Sequence, residues 1–136
     1  MTVSAATQPT SARVSWPLHI EVDDLPPSPN RRMHWACRRR ILRPLVDSIA
    51  WQARAASRGL PRPLEHAHVV AKMVHRKPPL RDWDNSVASL KECIDALITA
   101  GLIVSDSPEH FSMAVVQVLG PHRCLSLEVW PLEVQP

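Results

Sequence analysis

The chain contains hydrophobic patterns typical of strands and others typical of helices. Residues 16–22 alternate between apolar and polar side chains, the pattern of a half-buried strand. Residues 66–75 contain a short, partly β-branched apolar run bounded by prolines, which favours a second strand. Two further strands are predicted over residues 112–119 and 123–130, joined by a Gly-Pro turn.

A helix is predicted over residues 43–58, with Pro44 in its first turn and Gly59 just past its end. At about 100° per residue its apolar residues form one stripe. The stripe comprises Ile41, Leu42, Leu45, Val46, Ile49, Ala53 and Ala56, with Arg43, Trp51, Arg54 and Arg58 on the opposite side. One face of this helix should therefore be buried.

A second helix is predicted over residues 85–99, with Asp84 or Asn85 as its N-cap. Its core stripe comprises Val87, Leu90, Ile94, Leu97 and Ile98. The element order is then β-α-β-α-β-β, which predicts an α+β fold with helices packed on a mixed sheet. We expect one domain over residues 16–136, preceded by a flexible lead-in over residues 1–15.

Length and composition fit a single cytoplasmic domain. The 136 residues are 45% hydrophobic, enough to bury a core. No stretch approaches the roughly 20 apolar residues of a membrane span, and the start lacks a secretory signal. We therefore expect a cytoplasmic protein without membrane contact. Cys37, Cys93 and Cys124 are odd in number and far apart, so we expect reduced, packed thiols rather than disulfides or a zinc site.

Charge is distributed unevenly along the chain, although its net value is only +3. Residues 31–81 contain thirteen Arg or Lys and two acidic residues, a net charge of +11. Residues 82–136 contain eight acidic residues and two basic ones, a net charge of −6. This division indicates either a surface that binds a polyanion or simply a solvated basic face.

Acidic residues are concentrated near the start of the second helix. Asp82 and Asp84 flank a single residue where the second strand gives way to the helix. At about 100° per residue, Lys91 and Asp95 lie within about 20° of Asp84 on one edge of that helix. Asp106 follows the helix closely and could fold back towards its start. The pattern therefore predicts that three carboxylates and a lysine converge.

Clustered carboxylates remain ionised together only beside a cation, and the lack of His or Cys among them favours Mg²⁺, or Mn²⁺ in its place. Aspartate-bound Mg²⁺ serves phosphodiester hydrolysis, and Lys91 would offset charge in the transition state. Alternatively, Asp82 and Asp84 only end a strand and cap a helix, while Lys91 and Asp95 form a surface ion pair.

Several short motifs occur in a fixed order along the chain. They are Pro26-Pro27-Ser28-Pro29-Asn30, His34-Trp35, Arg38-Arg39-Arg40, Arg81-Asp82-Trp83-Asp84-Asn85, Lys91, Asp95-Ala96-Leu97, Gly101 and Asp106. The set resembles the RusA family of Holliday-junction resolvases, whose motifs are P-P-S-x-N, R-D-x-D-N, K, D-A-L, G and D-D-S. The His-Trp pair and the arginine run are similar to the family's actinobacterial and phage branch. The resemblance covers most of residues 26–107.

The resemblance implies a Mg²⁺-dependent, structure-selective endodeoxyribonuclease of recombination and repair, without an organic cofactor. The family's metal-binding aspartates fall on Asp82, Asp84 and Asp106, and its essential lysine falls on Lys91. Two departures from the family pattern stand out. Lys91 comes three residues later than in the commonest form, about 4.5 Å further along a continuous helix. Ser105 stands where many members have the first of two acids.

The resemblance also implies a homodimer that binds branched DNA, since a four-way junction is nicked symmetrically on two strands. The basic stretch would contact phosphates without reading sequence. The expected nucleic-acid-binding residues are Asn30, Arg31, Arg32, Arg38, Arg39, Arg40, Arg76, Lys77 and Arg81. Trp35 or Trp51 could form a wedge at the branch point, although a tryptophan more often packs in a core.

Two other functions remain open at this point. The shifted Lys91 and the substitution at Ser105 are compatible with a junction-binding or DNA-binding protein on the same fold that has lost catalysis. The second alternative is a protein-interaction domain in which the acidic residues only cap a helix. His66 and His68 could be imagined as a metal pair, but we expect them to be ordinary exposed strand residues.

Overall fold

The computed structural model describes residues 14–132, so residues 1–13 of the predicted lead-in, and residues 133–136, lie outside the described part. Four strands and three helices follow one another along this part of the chain. They are β1 (Leu18–Val22), α1 (Trp35–Ser57), β2 (Ala67–His75), α2 (Trp83–Ser89), α3 (Lys91–Thr99), β3 (Phe111–Leu119) and β4 (Cys124–Pro131). The predicted α+β class is confirmed.

The four strands form one mixed sheet in the order β1-β4-β2-β3. β2 pairs in parallel with β3, placing Ala71 opposite Val115, and antiparallel with β4, placing the same residue opposite Leu127. β1 pairs only with β4, antiparallel. The strands predicted on either side of the Gly-Pro turn are therefore not neighbours, because β2 lies between them.

Gly120 allows the connection from β3 to β4 to pass close to the end of β2. Its amide donates to the carbonyl of His75 at 2.8 Å. A Cβ atom at this position would lie 2.6 Å from Cγ1 of Val74, closer than side chains tolerate. The crossover therefore requires glycine for its lack of a side chain.

Helices α1 and α3 cover one face of the sheet. Every second residue of β2 is buried there, and α1 contributes Leu45, Ile49 and Ala53 from its predicted stripe. The fully buried large side chains of the core include Ile20, Ile49, Met73, Leu90, Leu97, Leu102, Ile103, Leu125 and Leu127. The predicted burial of one face of the first helix is confirmed, and Arg43, Trp51, Arg54 and Arg58 are exposed.

Helix α1 begins eight residues before its predicted start, so Pro44 lies inside it and not in its first turn. His34 is the N-cap, and its Nδ1 accepts a hydrogen bond from the amide of Ala36 at 3.2 Å. Proline removes the amide that would bond the carbonyl four residues earlier, at Arg40. Both residues are exposed, so water can solvate that carbonyl, and the helix continues through the proline.

The predicted second helix is divided in two at Leu90. This residue has φ −93° and ψ −2°, and its amide donates to Val87 at 3.1 Å, three residues back, so the turn is tighter than an α-helix. Leu90 is itself fully buried. Asp84 therefore belongs to α2 and Lys91 to α3, and the single helical edge predicted for them does not exist.

The three cysteines are free thiols in different environments. Cys93 is buried in the core, and burial raises the pKa of its thiol to about 12. Cys37 is exposed, so the expectation that all three are packed is wrong for this residue. None of the helices in residues 14–132 combines the length and apolar character of a membrane span.

Candidate active site and basic cleft

Asp82 and Asp84 lie at the beginning of α2, and both side chains are exposed. Asp82 is the N-cap, where Asp84 or Asn85 was predicted, and its carbonyl accepts from the amide of Ser86 at 2.9 Å. Its carboxylate makes no capping hydrogen bond, so capping does not occupy this side chain. The Asp84 carboxylate accepts from the neighbouring amide of Asn85 at 3.1 Å.

Lys91 holds the two other carboxylates of the predicted cluster. Its Nζ lies 3.0 Å from Oδ1 of Asp95 and 3.0 Å from Oδ2 of Asp106. These hydrogen bonds, first to Asp106 and then to Asp95, raise the pKa of the exposed Lys91 ammonium. The loop that carries Asp106 therefore returns to Lys91 in the first turn of α3, whereas the sequence predicted a return towards the start of a helix at residue 85.

Carboxylate oxygens such as those of Asp82, Asp84 and Asp106 suit Mg²⁺, but the three side chains do not form a complete metal site. Among residues 14–132, no three His, Cys, Asp or Glu side chains are arranged to hold a metal. Asp106 is engaged by Lys91, whereas no salt bridge in that range involves Asp82 or Asp84. Proteins often bind Mg²⁺ through one or two carboxylates, with water and substrate phosphate completing the shell. The Asp82–Asp84 pair fits that kind of site.

A cleft of about 700 Å³ lies beside the segment that leads into α2. Five of its lining side chains are basic and none is acidic. The lining residues are Leu25, Arg31, His75, Arg76, Lys77, Pro78, Pro79, Arg81 and Arg123. Arg81, which lines the cleft, directly precedes Asp82, so the basic cleft and the exposed carboxylate pair are contiguous along the chain.

Arg81 is a partly buried cation without a full set of partners. Its Nη1 is shielded from solvent and has no hydrogen-bond partner among residues 14–132. Burial, followed by the nearby charge of Arg123, lowers the pKa of the Arg81 guanidinium, while Asp24 acts in the opposite direction. Asp24 itself pairs with Arg123 at 3.0 Å. Arg81 is thus a partly buried cation that lines the cleft, and its charge would attract an anion that enters there.

The residues predicted to bind nucleic acid occupy two regions of the surface. Arg31, Arg76, Lys77 and Arg81 line the cleft. The other five lie on or just before α1; they are Asn30, Arg32, Arg38, Arg39 and Arg40. Four of these five are exposed, and Arg38 contacts Glu92 at 3.9 Å. The cleft therefore receives only part of the predicted set.

Three tryptophans are largely exposed: Trp35 at 66%, Trp51 at 71% and Trp83 at 72%. The first two are therefore not core residues. The third, Trp83, is the first residue of α2 and lies between Asp82 and Asp84 in the sequence. His66 stacks on His110, with ring centroids 5.5 Å apart, while His68 hydrogen-bonds Ser112 at 2.7 Å. His66 and His68 thus have separate partners and do not form a pair.

Sequence reasoning missed His75, Gln117 and Arg123 near the cleft. His75 and Gln117 occupy the face of their strands whose other members are apolar, and a polar residue in that phase is a signal that could have been noticed. Arg123 follows the crossover turn, and only the three-dimensional fold brings it beside Arg81. A scan against protein-family models found no match to the chain, and a search of curated proteins found no significant one.

Proposed function

We propose that the protein is a Mg²⁺-dependent, structure-selective endodeoxyribonuclease, similar to RusA resolvases, that cleaves branched DNA. The observation that carries the proposal is the arrangement at Arg81. Arg81 lines a cleft with five basic side chains and no acidic one, and Asp82 and Asp84, which follow it directly in the chain, carry exposed carboxylates without a salt bridge among residues 14–132. The first feature suits a phosphate backbone, and the second suits a hydrated divalent cation.

The basic cleft would bind the DNA backbone. Lys and Arg side chains neutralise phosphates and release counterions, so binding should weaken steeply as salt concentration rises. Arg81 lines the cleft with its cationic guanidinium, and a phosphate oxygen is an acceptor of opposite charge. Contacts of this kind position the nucleic acid without reading its sequence, which suits recognition of shape.

Asp82 and Asp84 are the residues proposed to hold the ion, and Asp106 would join them only after leaving Lys91. When bound, Mg²⁺ supplies charge stabilisation to a phosphoryl oxygen and increases the acidity of a coordinated water. Lys91 keeps Asp106 at the first turn of α3. The lysine would thus act by position and charge, because a protonated amine cannot coordinate a metal.

Holliday-junction resolution would require two such sites. Paired nicks on opposite strands are explained directly by a twofold homodimer that presents one site from each protomer. The proposal therefore includes a homodimer that resolves four-way junctions by phosphodiester hydrolysis during recombination and repair in the cytoplasm, with Mn²⁺ able to replace Mg²⁺.

The experiment is incubation of the purified protein with a synthetic four-way junction and Mg²⁺, with Asp82→Asn as the matched inactive control. Paired symmetric nicks by the wild-type protein, abolished in Asp82→Asn, are the expected result. Wild-type protein that binds the junction but cuts nothing across a range of salt and pH would refute the nuclease.

A second candidate is a junction-binding protein that has lost catalysis. The contact between Lys91 and Asp106 favours it, because the salt bridge occupies one of the three proposed ligands. This candidate predicts tight junction binding that Asp82→Asn preserves or strengthens, with no product from either protein. The same experiment therefore separates the two functions.

A further inference from the structure

Gln117 on β3 makes three hydrogen bonds that join two parts of the cleft. Its Oε1 accepts from the amide of Arg81 at 3.0 Å, and its Nε2 donates to the carbonyl of the same residue at 2.9 Å. The Oε1 also lies 2.9 Å from Nε2 of His75, the last residue of β2. One side-chain amide thus binds both main-chain polar groups of Arg81 and a histidine ring.

These contacts determine the orientation of the amide and the position of a proton. The Arg81 amide can only donate and its carbonyl can only accept, so the Gln117 side chain cannot be flipped without losing both bonds. Its oxygen must therefore face His75. Because that oxygen is an acceptor, His75 must carry its proton on Nε2.

The segment held by Gln117 has little other support. The chain between β2 and α2, residues 76–82, belongs to no helix or strand, and most of its side chains are exposed. Two hydrogen bonds to one residue reproduce what a neighbouring strand would provide. Gln117 thereby ties this connection to β3, directly before Asp82.

We propose that Gln117 is a positioning residue of the site, which fixes the main chain of Arg81 so that its guanidinium lies in the cleft and Asp82 stands at the start of α2. The inference rests on the proposed function and deepens it by adding a residue that contacts neither DNA nor metal. The protonation of His75 can report on this arrangement, because its Nε2 and the Arg81 amide contact the same oxygen of Gln117.

The first part of the test is independent of any activity. Nitrogen-15 NMR of the histidine rings, with His75 assigned by its absence from His75→Gln, should show the proton on Nε2 in the wild-type protein. Gln117→Met should lower the pKa of His75, because the Gln117 hydrogen bond raises it against the effect of burial. Gln117→Glu should raise that pKa, since a carboxylate favours the charged ring. A wild-type proton on Nδ1, or shifts of the same sign in both variants, would overturn the proposal.

The second part measures binding and cleavage of the four-way junction by Gln117→Met, with Ser112→Ala as control. The control removes a side-chain hydrogen bond to His68 on the same pair of strands, away from Arg81. We expect Gln117→Met to lower junction affinity by about tenfold, the effect of losing one charge-assisted contact, and the control to leave it unchanged.

Active wild-type protein with an equally active Gln117→Met would overturn the role of Gln117 alone. Wild-type protein that neither binds nor cuts the junction would overturn the proposed function, while the NMR still decides whether the amide holds Arg81 and His75. If Gln117→Met fails to fold, Gln117→Glu takes its place and must also weaken binding, because it cannot donate to the Arg81 carbonyl and adds a negative charge beside the cleft.

Discussion

Lys91 Nζ lies 3.0 Å from Oδ2 of Asp106, across fifteen residues of sequence. The contact draws the loop after α3 back to the first turn of that helix. It also pairs a lysine with one of the three carboxylates of the proposed metal site. How strongly the two groups are coupled, and whether a divalent ion competes with the lysine, can be measured separately.

Replacing Asp106 or Asp95 with Asn should lower the pKa of Lys91. The hydrogen bond to Asp106 is the largest single cause of the raised pKa, and the hydrogen bond and charge of Asp95 come next. Because the pKa is raised, the interaction is complete at neutral pH and is lost as the pH rises through it. Titration of the lysine side chain by NMR provides the measurement, and an unchanged pKa in Asp106→Asn would contradict the contact.

Removing the lysine should strengthen metal binding while abolishing cleavage. In Lys91→Met the Asp106 carboxylate loses its cation, so a divalent ion meets one more free ligand and one less positive charge. Calorimetry with Mg²⁺ or Mn²⁺ should show higher affinity for Lys91→Met and lower affinity, by at least about tenfold, for Asp82→Asn. The control is Asp47→Asn, whose carboxylate pairs with Arg43 on α1. Unchanged affinity in both site variants would argue against the assigned ligands.

Arg81→Gln should weaken junction binding at low salt and reduce its dependence on salt. Loss of one phosphate contact lowers the slope of log K against log salt by about 0.9. Arg54→Gln is the matched control, because Arg54 belongs to the same basic stretch but lies exposed on α1, away from the cleft. Equal losses in the two variants would indicate a diffuse basic surface and not a binding cleft.

Trp83 should contact the bases of the bound DNA. It is 72% exposed and lies between Asp82 and Asp84 in the sequence, so under the proposed function its aromatic face would be available to stack on a base. Trp83→Ala should cost about 1–3 kcal/mol of binding, the range for one stacked base. Junction binding should also quench tryptophan fluorescence in the wild-type protein and in Trp51→Ala, but much less in Trp83→Ala.

Gly120→Ala should destabilise the fold by about 1–3 kcal/mol, the usual cost of overpacking. The added Cβ would meet Cγ1 of Val74 at 2.6 Å, where the crossover passes the end of β2. Thermal or denaturant unfolding measures the loss. Val74→Ala in the same chain should restore part of it, since it removes the clashing atom. Additive losses in the double variant would mean that the contact is not the cause.

Much of the fold followed from local patterns. The stripe of Leu45, Ile49 and Ala53 is buried as its 3.6-residue period predicts, and β2 is buried on alternate residues. The break at Leu90 was not visible, because the apolar period continues through it without a glycine or proline. The early start of α1 was missed because a proline such as Pro44 usually marks the first turn of a helix. Here the helix begins nine residues before Pro44 and is capped by His34.

Only part of the candidate site could be predicted from the sequence. Asp106 folds back onto the helical segment, as its short separation from it suggested, but it contacts Lys91 and not the start of the predicted helix. The relation of Arg81 to Gln117 spans thirty-six residues, and no local pattern fixes which strands become neighbours. The placement of β4 inside the sheet decides this relation, because it moves β3 to an edge and brings Arg123 to the cleft. Side chains contributed by such long-range pairing cannot be read from spacing.

The position of β4 between β1 and β2 also has a consequence for the order of assembly. β1 is made early in synthesis, yet its hydrogen-bonding partner is made more than a hundred residues later. Until β4 emerges, β1 has no strand to join and one side of β2 remains unpaired, so β2 and β3 with α1 are the earliest unit that can assemble. A chain cut before Cys124 would therefore lose two strands from the sheet although only one had been removed.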